Sequence, residues 1–402
     1  LSRGRSRVRT KRLRALSAAG MGLAAGLAAE RLAVVRKRRS DPESYEEFRE
    51  RRAERSRWLH LDDGTRIFIE ETGPEDPRGA VFIHGSALRS DMWHYQLPGL
   101  GDHRLIFYDL RGHGLSKPVG DAEFSIHTLA EDLLAVIEDR ELEQVVLVGH
   151  SIGGMIAMEL CHIRPDLVGS PIAGLVLVNT TYRPVVETLA GGALLARVER
   201  ITRRPFDALG SFHQRIDRLR KIVAPSGVAF WFVAFLGFGP KASAKQIDFT
   251  YDMLAETDSD VIFELIKSYR EFNVRDVLGD INVPTLVIGG GTDRITLPEA
   301  SEYIAEQLPD AELRLFPKCG HMTPLQRHDE FNELVTNFLD EILEAKPEPE
   351  ARAERAGTEA AAQTGRRAER AGADKPEAEA EAGRAGEEVK ATEAHEEESA
   401  RR

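Results

Sequence analysis

The central part of the chain alternates between short runs of branched and aromatic residues and longer stretches with helical periodicity. Runs with the length and apolar character of strands occur at residues 66–70, 80–83, 105–108, 145–148, 174–178, 285–288 and 312–316. Between them lie patterns with about 3.6 residues per repeat, at 125–140, 152–164 and 298–307. Because strands and helices alternate, the pattern predicts an α/β fold with a mostly parallel sheet flanked by helices.

This alternation stops after residue 179 and resumes only near residue 283. The intervening segment is helical in pattern and carries eleven consecutive apolar residues at 228–238. An insertion of this kind predicts a helical lid, which we place at about residues 181–275. The apolar run is too short for a bilayer, which needs about 20 residues. We interpret it as a lid element that lines an apolar pocket, packs against the core or touches a membrane.

Both ends of the chain differ in composition from its centre. Residues 1–40 carry twelve Lys or Arg and a single acid, so we interpret 1–57 as a basic N-terminal arm with a short apolar helix. Residues 346–402 consist almost entirely of Ala, Glu, Arg, Gly and Pro. Such a segment cannot bury enough apolar surface to offset its ordering entropy, and we predict a disordered tail. The domain itself is predicted at 58–345.

The arm contains an apolar run at 15–29 with basic residues on both sides. The run is shorter than a membrane span, and the four basic residues at 36–39 disfavour a cleaved secretory signal. Three interpretations stay open: a helix lying on an anionic membrane surface through 1–40, a poor transmembrane helix, or a solvated arm. The expected location is the cytoplasm, with association at the inner face of the membrane under the first interpretation.

The overall charge and the cysteine count exclude several classes of function. The formal net charge is −12, and no basic and aromatic pattern runs through the body, so we expect no nucleic-acid partner. Two cysteines, Cys161 and Cys319, are too few for a disulfide scaffold or a four-cysteine zinc site. We predict two unpaired thiols, no metal and no cofactor.

One pentapeptide indicates nucleophilic catalysis. Gly149-His150-Ser151-Ile152-Gly153 lies between a predicted buried strand and a predicted helix, which is the setting of a Gly-x-Ser-x-Gly nucleophile elbow. The turn is so tight that the positions two before and two after the nucleophile must lack bulk. The two glycines meet this requirement, so Ser151 is the candidate nucleophile.

A serine nucleophile needs a base and a group that orients the base. Asp293 follows the predicted strand at 285–288, and His321 follows the last predicted strand at 312–316. Both therefore fall on loops at strand ends, in the chain order Ser, Asp, His. We predict Asp293 as the orienting acid and His321 as the base for Ser151.

These motifs together resemble the α/β-hydrolase superfamily across residues 58–344. His84-Gly85-Ser86 after a strand is similar to the family's oxyanion segment, and the segment 108–116, Tyr-Asp-Leu-Arg-Gly-His-Gly-Leu-Ser, is similar to its characteristic loop. The resemblance implies an eight-stranded, mostly parallel sheet with the lid inserted after the sixth strand.

The resemblance also implies roles for individual residues. The oxyanion hole would be formed by the backbone N–H groups of Ser86 and Ile152, placed where the substrate carbonyl oxygen becomes negative. His84 and Arg111 are interpreted as residues that brace loops, not as catalytic ones.

The nucleophile type narrows the expected reaction. Ser151 differs from the Asp that haloalkane dehalogenases and epoxide hydrolases use at this position, so an acyl-enzyme is expected. The chain resembles the esterases, lipases, cofactor-free haloperoxidase-like enzymes and carbon–carbon bond hydrolases that share Gly-His-Ser-x-Gly-Gly. We expect a serine hydrolase that cleaves small-molecule carboxylic esters, with an apolar acyl group favoured. The alternatives are haloperoxidase-like or carbon–carbon hydrolysis on the same three residues, or a non-catalytic binding scaffold.

Overall fold

A computed structural model describes residues 26, 28–49, 53–120, 122–188 and 227–344 of the protein. Within this part of the chain, eight strands form a single sheet. They are β1 Arg55–His60, β2 Arg66–Thr72, β3 Arg78–Ile83, β4 Leu105–Tyr108, β5 Gln144–His150, β6 Ile172–Val178, β7 Thr285–Gly290 and β8 Ala311–Phe316.

The strands lie in the order β1-β2-β4-β3-β5-β6-β7-β8. Strand β2 is antiparallel to both of its neighbours, and all other neighbouring strands are parallel. This arrangement confirms the mostly parallel α/β sheet that the sequence predicts. The edge strand β1 was not predicted, because most of its side chains are exposed and its sequence contains no apolar run.

Helices cover both faces of the sheet and fill the connections between strands. They are α1 at 28–39, α2 Ile126–Asp139, α3 Ile152–Ile163, α4 Val185–Thr188, α5 Gly227–Gly237, α6 Ala244–Glu256, α7 Ser259–Tyr269, α8 Pro298–Gln307, α9 Thr323–Gln326 and α10 His328–Glu344. Short 3-10 helices occur at Ser90–Trp93, Pro165–Leu167 and Arg275–Asp280.

The sheet separates two hydrophobic clusters, one on each face. Consecutive residues of β5 point into them alternately: Val145 and Leu147 belong to one cluster, and Val146 and Val148 to the other. A strand that is buried on both faces has no polar positions. This is why the central strands appear in the sequence as continuous apolar runs.

Four helices of the described residues, α4, α5, α6 and α7, lie in the long connection between β6 and β7. They occupy part of the predicted lid at 181–275. The remainder of that prediction, at 189–226, lies outside the described residues.

Residues 28–49, from the predicted N-terminal arm, pack against the inserted helices. Asp41 Oδ2 accepts hydrogen bonds from Ser243 Oγ at 2.9 Å and from a backbone N–H of the first turn of α6 at 2.6 Å. The ring of Phe48 stacks on Phe249, with 4.3 Å between centroids. This part of the arm is therefore attached to the domain through specific contacts.

Other predictions for the chain ends lie outside the described residues. Of the predicted apolar run at 15–29, the structure describes residues 26, 28 and 29. The predicted tail at 346–402 lies wholly outside them. Among the helices of the described part of the chain, none is both long enough and apolar enough to cross a membrane.

Candidate active site

Ser151 lies in the turn between β5 and α3, at the carboxyl edge of the sheet. Its backbone has φ 55° and ψ −117°, a conformation that residues with side chains rarely adopt. A Cβ atom on Gly149 would collide with the backbone of Gly153, and one on Gly153 would collide with the carbonyl group of Ile83. The flanking glycines therefore make the turn possible. It holds Ser151 at the N-terminus of α3, where the helix dipole favours negative charge.

Asp293 and His321 form a hydrogen-bonded pair at the same edge of the sheet. Asp293 follows β7 and His321 follows β8, so the parallel strands bring both loops to this edge. His321 Nδ1 lies 2.8 Å from Asp293 Oδ2, and both side chains are buried. Because an ionised carboxylate can only accept, the bond places a proton on Nδ1. Nε2 is then the ring nitrogen that can accept a proton.

Several donors surround the Asp293 carboxylate. Oδ2 accepts from Asn179 Nδ2 and from Thr296 Oγ1, both at 2.9 Å, and Oδ1 accepts from the backbone N–H of Ile295 at 2.8 Å. Burial by itself would raise the pKa of Asp293. The charge and hydrogen bond of His321, with the donors from the backbone and Asn179, outweigh burial and hold that pKa below the ordinary aspartate value. The carboxylate is thus kept ionised beside the imidazole.

His150, the residue before Ser151, supports the loop that carries His321. His150 Nε2 lies 2.9 Å from the backbone oxygen of His321. Burial, and secondarily the charge of His321, lower the pKa of His150 to about 3. His150 is therefore neutral at pH 7 and donates its Nε2 proton to that oxygen. Its Nδ1 atom has no hydrogen-bond partner among the described residues.

Two other buried histidines connect the loops that follow β3 and β4. His84 Nε2 accepts from the backbone N–H of Leu110 at 2.9 Å, and His113 Nε2 accepts from the backbone N–H of Ala87 at 3.1 Å. Burial is the largest cause that lowers the pKa of His84 to about 4 and that of His113 to about 3. Both rings are neutral at pH 7, which is why Nε2 can accept. They fix the loop that contains Ser86.

Arg111 has a structural role as well. Its guanidinium group forms two hydrogen bonds of 2.6 Å with Asp132 and one of 3.0 Å with Asp63. This buried ion pair ties the loop after β4 to α2. The contacts agree with the interpretation of His84 and Arg111 as residues that brace loops.

The two residues predicted to form an oxyanion hole lie beside Ser151. Ser86, Ile152 and Ser151 line the same cavity. Ile152 is the first residue of α3, so its N–H has no acceptor within the helix. No hydrogen bond between described residues uses the backbone N–H of Ser86. Both groups are available to a ligand.

The cavity at Ser151 and His321 has a volume of about 260 Å³ and mostly apolar walls. The inserted helices contribute much of its lining. Apolar side chains on its walls include Ile152, Met155, Phe232, Val233, Leu236 and Leu254. Thr250 also lines the cavity, and its buried Oγ1 atom has no hydrogen-bond partner among the described residues.

A larger cavity, of about 540 Å³, lies at the opposite end of the strands and has charged walls. At its centre, Glu71 pairs with Arg104 at 2.8 Å and with Arg140 at 2.9 Å. Burial would raise the pKa of Glu71, but the two arginines outweigh it and lower that pKa. Because Glu71 and the two arginines are engaged in ion pairs with one another, we assign this cavity a structural role.

Within the described ranges, no group of three or more His, Cys, Asp or Glu side chains is placed to hold a metal ion. Cys161 and Cys319 are both buried and free, as the sequence predicts. Burial raises the pKa of Cys319 to about 11, so its thiol is protonated at neutral pH. Neither cysteine is a competing nucleophile.

Comparison with known proteins identifies the class to which this fold and site belong. Residues 80–334 match the family described as the alpha/beta hydrolase family, and the chain belongs to that family. Hydrolase activity is the class of function that this membership supports.

Individual relatives cover nearly the same part of the chain. The AB hydrolase superfamily protein YisY of Bacillus subtilis strain 168 is 27% identical over 286 residues, which are 70% of this chain and 98% of that protein. A non-heme haloperoxidase of Rhodococcus erythropolis is 28% identical over 286 residues, 70% of this chain and 99% of that protein. A thermophilic esterase from Thermogutta terrifontis has the same fold, with a TM-score of 0.57, 22% identity and coverage of 72% of this chain and 99% of that one.

The structure brings all five sequence-predicted site residues to one edge of the sheet. Ser86, Ser151, Ile152 and His321 line the cavity, and Asp293 lies behind His321. Other residues of the site were not predicted. They are Asn179 and Thr296 beside the carboxylate, His150 behind the nucleophile and Thr250 in the cavity wall, whereas Phe232 belongs to the apolar run at 228–238 for which pocket lining was one interpretation. Asn179 directly follows β6, so its position in the sequence could have indicated that it lies at this edge of the sheet. The position of Asp293 after β7 was interpreted in this way.

Proposed function

We propose that the protein is a serine hydrolase that cleaves carboxylic esters through an acyl-enzyme. The observation that carries the proposal is the 2.8 Å contact between His321 Nδ1 and Asp293 Oδ2, beside a cavity that Ser151 also lines. A nucleophile on a helix N-terminus, a base with a free Nε2 and an ionised carboxylate behind it are the three groups that acyl transfer requires.

In the first half of the proposed reaction, Ser151 Oγ attacks the ester carbonyl carbon while His321 Nε2 removes the hydroxyl proton. The resulting imidazolium is stabilised by Asp293. The carbonyl oxygen becomes negative and is bound by the backbone N–H groups of Ser86 and Ile152. His321 then returns the proton to the leaving alcohol, and the acyl group remains on Ser151.

In the second half, water attacks the acyl-enzyme with His321 as base, the acid leaves, and Ser151 regains its proton. The apolar walls of the cavity support an apolar acyl group as the preferred substrate part. The cavity volume of about 260 Å³ favours a chain of moderate length over a bulky group.

A second candidate is haloperoxidase-like chemistry, in which hydrogen peroxide replaces water as acceptor and releases a peracid. The specific support is the 28% identity with the non-heme haloperoxidase of Rhodococcus erythropolis. Both reactions share the acyl-enzyme. Measuring acid and peracid release with water and peroxide in competition distinguishes them.

The proposal is tested by labelling the full chain with a fluorophosphonate probe and measuring turnover of p-nitrophenyl esters of increasing chain length. We expect the label on Ser151. The Ser151→Ala variant should lose the label and at least about a thousandfold in kcat. The matched control is Ser125→Ala, which removes the hydroxyl that caps α2 and should retain label and turnover.

Two results would contradict the proposal. Label on another residue would displace Ser151 as nucleophile. A folded wild-type chain without label and without ester turnover would favour the non-catalytic scaffold instead.

A further inference from the structure

Large apolar side chains are exposed mainly on two neighbouring helices. Among the described residues, ten such side chains are exposed, and six of them belong to α1 and α5. These six, which we call the α1–α5 face, are Leu32, Val35, Val228, Trp231, Phe232 and Phe235. A concentration of apolar surface of this kind marks a site of interaction.

The exposed residues of α5 lie on one side of the helix. Val228, Trp231, Phe232 and Phe235 are spaced by three, four and seven residues, which places them on one face. The opposite side packs inward, and Phe230 is buried there. No residue of α5 is charged. The outer side of α5 is therefore apolar and largely aromatic, without a charged side chain.

Helix α1 lies against α5 and adds positive charge. The Arg38 guanidinium group lies 5.6 Å from the ring centroid of Phe230 and pairs with Asp248 of α6 at 2.8 Å, and Val34 is buried. Arg36 and Arg39 are exposed on α1, as are Leu32 and Val35. The same helix thus presents apolar and basic side chains to solvent.

The sequence before α1 has the same character. Residues 1–25 contain seven Lys or Arg and no acid, and they lead directly into this helix. Their structure lies outside the described residues, but their composition adds positive charge to the sequence that precedes α1. A partner that matches both the apolar and the basic side chains has an apolar interior and a negatively charged surface.

We propose that the α1–α5 face docks on the surface of an anionic lipid bilayer. Helices bind in this way when an aromatic face enters the interface and basic side chains contact anionic headgroups. Trp231 is suited to the interface because its ring is apolar and its indole N–H is polar. Arg36 and Arg39 supply the electrostatic contribution.

Docking in this orientation places the bilayer at the mouth of the cavity. Phe232 belongs to the exposed face and also lines the cavity at Ser151, and Val233 and Leu236 of the same helix line its wall. This step rests on the proposed function. The substrates are then esters whose apolar chains partition into membranes. Such a substrate passes along α5 without crossing water.

The test is co-sedimentation of the full chain with phosphatidylcholine vesicles that contain or lack about 30 mole per cent phosphatidylglycerol. This content of anionic lipid gives the vesicle a strongly negative surface. We expect binding to the anionic vesicles that weakens as salt rises. The double variant Trp231→Ser and Phe235→Ser, which alters neither a proposed catalytic residue nor a cavity residue, should bind at least about tenfold more weakly.

A matched control separates the α1–α5 face from exposed aromatics in general. Trp58 on β1 is 41% exposed and Trp231 is 39% exposed. Trp58→Ser should therefore bind vesicles like the wild type. The variant Arg36→Gln with Arg39→Gln should lose binding to anionic vesicles at low salt, again by about tenfold or more.

Three outcomes would overturn the proposal. One is a wild-type chain that stays in the supernatant with anionic vesicles at low salt. Another is a double variant that binds like the wild type. The third is self-association without lipid that the double variant abolishes, which would assign the face to a second copy of the chain. Vesicle binding by Ser151→Ala separates the two proposals, because docking needs no catalysis and survives even if no ester is cleaved.

Discussion

Asn179 Nδ2 lies 2.9 Å from Asp293 Oδ2, the carboxylate oxygen that His321 Nδ1 contacts at 2.8 Å. The same amide nitrogen lies 3.3 Å from the backbone oxygen of Gly320. Asn179 directly follows β6 and is buried, with φ 45°. A single side chain therefore connects the loop that carries the carboxylate with the loop that carries the imidazole.

Replacing Asn179 by Ala removes a donor from a buried charged acceptor. The free energy of unfolding at pH 7 should fall by about 1.5–3 kcal/mol, the usual value of a hydrogen bond to a charged group. Denaturant unfolding measures this change. Asn337→Ala, at an exposed position of α10, is the control and should change stability by less than about 0.5 kcal/mol. An equal loss in both variants would contradict a specific role for Asn179.

The effect of Asn179→Ala should also depend on pH. The folded-state pKa of Asp293 is lowered, so its ionised form contributes stability above the unfolded-state pKa of about 3.9. That contribution is lost as the pH falls through the lowered folded-state pKa. Asn179 helps to lower the folded-state pKa of Asp293. The difference in free energy of unfolding between the wild type and Asn179→Ala should therefore shrink below about pH 4. A difference that stays constant down to acid unfolding would show that Asp293 is not the group involved.

Backbone strain at Ser151 leads to a second prediction. Its φ of 55° with ψ −117° is accessible to glycine and costs other residues about 1–3 kcal/mol. Both Ser151→Ala and Ser151→Gly should abolish ester turnover. We expect Ser151→Gly to be more stable than Ser151→Ala by about 1 kcal/mol, after the greater unfolded-state entropy of glycine is deducted. Thermal unfolding of the two inactive variants tests this, and a less stable glycine variant would show that the turn is unstrained.

The nucleophile turn and the sheet could be predicted because their signals are local. Strand β5 is buried on both faces, so it is a continuous apolar run, and the glycines beside Ser151 are fixed by close contacts within a few residues. Asp293 and His321 follow from the parallel topology, which places strand ends at one edge. Each of these inferences needs only a short stretch of sequence and the order of the strands.

The remaining parts depend on single side chains that meet across long sequence separations. Asn179 contacts Asp293 from 114 positions away, and His150 contacts the backbone of His321 from 171 positions away. The position of Asn179 after β6 predicts the edge of the sheet on which it lies, but a one-dimensional pattern does not predict which atoms meet there. Composition also did not predict that residues 28–49 pack on the domain. Phe48 lies in a polar segment, and it is attached through a few specific ring contacts.

The attachment of residues 28–49 gives a third prediction. Phe48 is half-buried, stacks on Phe249 at 4.3 Å and contacts His94 at 4.5 Å between centroids. Phe48→Ala should lower the free energy of unfolding by about 2 kcal/mol. This is less than the loss of about 3–5 kcal/mol that truncation of a fully buried aromatic ring causes. Tyr45, three residues earlier, is 77% exposed, and Tyr45→Ala should change stability by less than about 0.5 kcal/mol. If both variants unfold like the wild type, residues 28–49 do not belong to the folded domain.

Thr250 gives the last prediction, which concerns the polarity of the substrate. Its Oγ1 atom is buried, lines the cavity and has no hydrogen-bond partner among the described residues. An unsatisfied buried hydroxyl costs about 1–3 kcal/mol, and valine has nearly the same shape without that cost. Thr250→Val should therefore raise the free energy of unfolding by about 1 kcal/mol. With an apolar acyl group in the cavity, it should also lower KM for alkyl esters and leave kcat unchanged.

The matched control for Thr250→Val is Thr285→Val. Thr285 is also buried, but its hydroxyl donates to the backbone oxygen of Val283 at 3.0 Å, so its replacement should destabilise the protein by about 1 kcal/mol. The two substitutions are chemically identical and should change stability in opposite directions. If Thr250→Val instead raises KM for every ester, the hydroxyl contacts the substrate. The cavity would then be built for an acyl group that carries a polar atom at that position.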